Sequence, residues 1–202
     1  MKILARASRP LLFLMVLLAA YEVTVGGFSS HILATWAYTV AFGVLVVAGL
    51  ALILLGNEVL EKPAVVIISS VIPLALSLGL VVDFLPEWQT PYIIFVLVGL
   101  GLIVFTRMRP SNRFKILILS LVHAVAGLII FIVPIIIVLN GTVPSAWFVL
   151  VSIGAALIGI GGILLTLLRS GRELLNQKII FSILPVILLL MTAAFVAGFQ
   201  SL

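Results

Sequence analysis

The sequence predicts an all-α protein, a polytopic transmembrane helix bundle, and three observations carry that prediction. Apolar residues make up 64% of the chain and charged ones 8%, at a mean hydropathy of +1.48. The apolar residues gather into seven runs long enough to cross a bilayer, and every lysine and arginine falls at alternate ends of those runs. A soluble domain carries about 25% charged residues. No globular interior holds this much apolar surface and leaves a wettable exterior, so the solvent for most of the chain is lipid.

A helix needs roughly 20 apolar residues to cross about 30 Å of hydrocarbon. The chain is expected to form a single transmembrane domain over 1–202, with spans at Leu11–Phe28, Leu33–Leu55, Pro63–Phe84, Pro91–Thr106, Ile116–Leu139, Ala146–Leu168 and Ile179–Phe199. Lipid offers no water to backbone groups, which leaves only helices or closed barrels. Runs of this length without strict alternation are helices and not barrel strands.

The elements follow in order. Lys2, Arg6 and Arg9 precede the first run. That run also fits a secretory signal with Ala20 before a cleavage point, which would leave six spans. Apolar character resumes after Glu22, which favours a retained span. Glu58, Glu61 and Lys62 join the second run to the third. Arg107, Arg109, Arg113 and Lys115 join the fourth to the fifth, and Arg169, Arg172, Glu173 and Lys178 join the sixth to the seventh. The other connections hold His31, then Asp83 and Glu87, then Asn140 to Ser145. All eleven basic residues therefore lie on one side. Cationic connections stay in the cytoplasm, so the N-terminus is expected inside and the C-terminus outside, in the cell membrane. Trp36, Trp88 and Trp147 stand near span ends on the other side, where indole rings favour the headgroup layer. Net charge is +5. Grouped between apolar runs, this charge has a membrane explanation, and no nucleic-acid partner is expected.

The six later spans show a weak internal repeat. Gly49, Gly99 and Gly161 are followed in the returning helices by Ser70, Ser120 and Ser182, and three residues later by Pro73, His123 and Pro185. A lead helix followed by three repeated helical hairpins is the expected architecture. Such hairpins run parallel, without the inversion usual in alternating-access carriers. Ala75 and Gly79, Ala155 and Gly159, and Ala194 and Gly198 place small residues four apart, as close helix packing in lipid requires. Their expected role is bundling within the chain, with oligomerisation as the sharper alternative. Ser70 and Ser182, one turn before Pro73 and Pro185, are placed to satisfy the carbonyl each proline frees.

Chemistry-bearing residues are few. Cysteine is absent, so thiolate metal sites, disulfides and Cys nucleophiles are excluded. No phosphate-binding loop, dinucleotide motif, zinc-protease motif or nucleophile elbow is present. Enzymatic activity is not expected. Glu22, about 17 Å past Leu11 at the helical rise, is the most informative residue. An acid at that depth costs about 2.5–3.5 kcal/mol and is expected to face the bundle, paired or protonated. A neutral acid bonded to a neighbouring helix explains it as well as proton exchange does. His123, about 12 Å past Lys115, is the natural partner for a proton relay. Haem and metal sites fail on ligand count, since the other histidine, His31, lies at the opposite surface. No cofactor is expected. Asp83 and Glu87 read as a solvated connection, where charge is cheap.

Two functions are compatible with this. One is a non-enzymatic membrane subunit or scaffold, with lipid, other membrane proteins or further copies as partners. The alternative is a small proton-linked transporter, channel or sensor using Glu22 and His123. Convergence of Glu22, His123, Ser70, Ser120 and Ser182 on one cavity favours the second. Their dispersal among dry helix contacts favours the first.

Overall fold

A computed structural model describes residues 2–26, 29–109, 114–169 and 177–202. Its regular elements are helical: α1 (Lys2–Val25), α2 (Ile32–Leu55), α3 (Pro63–Phe84), α4 (Gln89–Arg107), α5 (Lys115–Leu139), α6 (Leu150–Arg169) and α7 (Gln177–Phe199). All seven are long and apolar enough to cross a membrane. The expected spans recur within a few residues, with two informative differences. α1 starts well before Leu11, carrying Arg9 and Pro10 inside the helix. The sixth span opens with a 3-10 turn, Ala146–Val149, and becomes α-helical at Leu150. Phe28, Arg113, Arg172 and Glu173 lie outside the described residues.

Local chemistry sets the ends. Gly56 follows α2 at φ 74°, and the chain turns through a 3-10 segment, Asn57–Glu61, before Pro63 opens α3. Proline suits that first position, where its missing N–H is no loss. α5 ends in a Schellman motif. The amide of Gly141, at φ 68°, donates to the Val138 carbonyl, and that of Thr142 donates to Ile137. This pairing requires a left-handed residue at Gly141, which glycine adopts without a Cβ clash.

Six helices close a ring in the order α1, α2, α3, α5, α6, α7, with α7 packed back against α1. α4 stands outside, on α3 and α5. Accordingly α3 is the most buried span and α4 the least. The main core draws on all six ring helices, and a smaller cluster of Leu74, Ile103, Val122 and Ala126 seats α4. Ser77 and Tyr92 add a polar tie there: the Tyr92 hydroxyl donates to Ser77 Oγ at 2.8 Å, and Ser77 donates to the Pro73 carbonyl at 2.6 Å.

The first helix is thus a wall of the ring, packed on α2 and α7. Met15 and Val16 of α1 fill the space above Gly49 of α2. Gly99 and Gly161 instead face Val122 and Ile187, within their own hairpins. The three glycines therefore have unequal environments. The small residues divide as well. Gly79 receives the Tyr38 ring, Gly154 receives Phe195, and Gly198 lies against Val151, so all three serve packing within the chain. Gly159 and Gly162 have open space where a Cβ would stand.

Candidate functional site

The helices alternate in direction, so the basic connections share one end of the bundle and the connections free of lysine and arginine share the other. At the second end the rings of Trp36, Trp88 and Trp147 are exposed. An interfacial belt requires this placement.

Beneath that end the ring is filled by aromatic side chains centred on Phe199, the last residue of α7. Its ring lies 4.7 Å from that of Tyr38, 5.9 Å from Phe42 and 5.9 Å from Phe148, the last two edge-on. Phe84 extends the stack through Phe148 at 5.7 Å. Edge-to-face and tilted pairs at these separations are the favoured aromatic geometries. The stack leaves the middle of this end packed and apolar.

Two carboxyl groups flank it. Glu22 lies three residues before the end of α1 and is 1% exposed. Gln200, directly after α7, donates from Nε2 to Glu22 Oε2 at 3.1 Å. The other oxygen, Oε1, is buried and has no hydrogen-bond partner among the described residues. Gln200 itself is exposed, so Glu22 sits one side chain below the surface. Asp83, the penultimate residue of α3, accepts from Ser29 Oγ on one oxygen and from the Tyr38 hydroxyl on the other, the latter at 2.9 Å. The expectation that Asp83 belongs to a solvated connection is therefore corrected. α3 continues through Phe84, which turns the carboxylate toward α2 and the α1–α2 connection. Glu87, beyond the helix, is exposed as expected.

The structure does not bring Glu22 and His123 together. α1 and α5 occupy opposite positions in the ring. Glu22 is about 4.5 Å of helical rise from the lysine- and arginine-free end, and His123 about 24 Å from it. The similar depths read from the sequence rested on counting α1 from Leu11, whereas the helix begins nine residues earlier. His123 is half-buried, with Nδ1 3.0 Å from the carbonyl of Leu119 in its own helix. The serines disperse too. Ser70 is buried, Ser182 half-buried and Ser120 exposed. Ser70 donates to the Val66 carbonyl at 2.6 Å. It does not reach the Ser69 carbonyl freed by Pro73, because the i−4 carbonyl of its own turn is nearer.

Residues missed by sequence reasoning are the partners: Gln200 for Glu22, and Ser29 and Tyr38 for Asp83. A polar residue directly after a span end and a tyrosine inside a span were the available signals. A groove of about 270 Å³ beside α5 is lined wholly by apolar residues, among them Leu85, Leu128, Ile132 and Ile136. No group of three or more potential metal ligands occurs among the described residues. Comparison with known protein families, with curated proteins and with solved structures finds no match to this chain.

Proposed function

We propose that this chain is a non-enzymatic subunit or scaffold of a membrane assembly, held in the cell membrane with its N-terminus in the cytoplasm and its C-terminus outside. The observation that carries the reading is the dispersal of its intramembrane polar groups. Ser70, Ser77 and Thr106 are turned back onto their own helices, Asp83 is bonded by two hydroxyls, and His123 stands apart from Glu22. A conduction path needs a shared polar lining or a wettable constriction. Separate contacts of this kind supply stability instead, and Ser152 on α6, buried without a hydrogen-bond partner among the described residues, stands apart from them. A relay through Glu22 and His123 draws no support from this placement, and the transporter reading is left with Glu22 alone.

The duplicated-hairpin origin belongs to the same reading. Of the three hairpins it names, α2–α3 and α6–α7 are each closely packed, whereas α4 packs less closely on α5 and stands outside the ring. Orientation rests on the one-sided lysines and arginines.

Extraction in mild detergent tests the assignment. A stable complex with unrelated membrane proteins is expected. Recovery as a lone species that conducts protons or a small solute in proteoliposomes overturns it. The cysteine-free sequence makes topology directly accessible. A cysteine replacing Thr142 is expected to react with an impermeant reagent on intact cells, and one replacing Arg109 is expected to be protected.

A further inference from the structure

The carboxyl group of Glu22 presents a problem that packing does not resolve. One oxygen is bonded to the Gln200 amide, and the other is buried without a partner. A bare carboxylate oxygen in apolar surroundings is costly, and the cost is removed by a partner or a proton. The elements packed against α1 supply no counter-charge. α2 contains no charged residue, and its one titratable group, Tyr38, donates its hydroxyl to Asp83. α7 contains only Lys178, at the opposite end. On α1 itself Tyr21 is exposed, and Lys2, Arg6 and Arg9 lie at the far end. His31, at the start of α2, is exposed and beside Asp83. One carboxyl and one amide offer too few oxygens for a hard metal cation.

We propose that Glu22 is a proton-binding site, loaded at Oε1 and exchanging with the lysine- and arginine-free side, with Gln200 as its cover. The geometry gives the cover its role. Gln200 is exposed, lies one residue beyond the end of α7, and reaches Glu22 with a single hydrogen bond. Rotation of that one side chain opens the carboxyl to water while the Phe199 stack stays in place. Glu22 lies beside exposed Gln200 and across the ring from His123, so the site loads and unloads from the Gln200 side. It acts as a sensor of that compartment and not as a conduit. Loss of the proton places a charge at the α1–α7 contact, where the ring closes, and hydration of that charge loosens the contact. The proposal is independent of the scaffold reading, since a proton-sensing subunit and a proton-sensing lone protein both satisfy it.

Infrared spectroscopy of the full chain in lipid tests this without a known ligand. A protonated carboxyl band is expected at mildly acidic pH and is lost as the pH becomes mildly alkaline. Glu22→Gln removes it, and Glu22→Asp, which retains the acid if the amide fails to fold, shifts it. Gln200→Ala is expected to speed its hydrogen–deuterium exchange by about fivefold, as expected for one hydrogen bond opened. Three results overturn the proposal: no Glu22-dependent band at any pH, a band displaced by sodium or potassium at constant pH, or exchange unaffected by Gln200→Ala. Flux assays on the same samples report separately on the scaffold reading.

Discussion

Gly79 offers the sharpest test of how the ring is packed. A Cβ built on it would stand 2.2 Å from Tyr38 Cε1, 2.6 Å from Cζ and 2.7 Å from Cδ1. Carbon atoms in favourable contact lie about 3.5–4.0 Å apart, so the ring would have to retreat by more than about 1 Å. It has nowhere to go. Phe199 stands 4.7 Å away between centroids, the hydroxyl is held by Asp83 at 2.9 Å, and the side chain is fully buried. Overpacking of this kind costs about 1–3 kcal/mol. Gly→Ala in a helix returns up to about 1 kcal/mol through propensity, which blurs the variant taken alone. Gly43→Ala is the control, because nothing lies within 4 Å of its Cβ position. The propensity gain cancels between the two, so Gly79→Ala should be less stable than Gly43→Ala by about 1–3 kcal/mol. Equilibrium unfolding in mixed micelles, driven by a denaturing detergent and followed by circular dichroism, measures the difference. Equal stability of the two variants would refute the packing argument, since it would mean that Tyr38 does not occupy the seat on α3.

Other expectations follow from the same contacts. A double-mutant cycle over Tyr38→Phe and Asp83→Asn should give a coupling of about 0.6–1.7 kcal/mol, the range for polar contacts between membrane helices, and a coupling of zero would separate the two groups. Gly49→Ala should also be less stable than Gly43→Ala, because a Cβ there would stand 2.3 Å from the mobile end of Met15 and 2.5 Å from Val16 Cγ2, a β-branched side chain that cannot swing aside; the same unfolding assay measures the difference. Tyr92→Phe removes the hydroxyl tie to Ser77 and should loosen α4 selectively, raising amide exchange in α4 while leaving α2 unchanged.

The spans were legible because lipid imposes a length and a hydropathy on every crossing segment, and each is encoded locally. The ring was not legible. Glu22 meets Gln200 across 178 residues, and Asp83 meets Ser29 across 54, with no local pattern to announce either. Asp83 was misplaced for a definite reason: an acid near a span end is cheap as a solvated group, and only the tertiary fold brings two hydroxyls to it. The burial of Glu22 was readable from its place within an apolar run, because such a residue turns inward, although its depth was not, since the helix ends three residues later. Its distance from His123 was not, since depth depends on where each helix begins and on which helices are neighbours. The close seats at Gly79 and Gly198 follow the four-residue spacing of small residues, whereas Gly159 has the same spacing and faces open space. Spacing identifies a surface that permits close approach, and the partner decides whether it is used.

The contact between α7 and α1 also constrains biogenesis. During synthesis α1 emerges before α7, and it finds one of its two lateral neighbours in the ring only when α7 has entered the bilayer. Until then the face that carries Glu22 must be sheltered by lipid, by the insertion machinery or by a provisional neighbour. The α1–α7 contact therefore closes after the other ring contacts can form, and release before α7 inserts would leave an open arc with an acid on its edge.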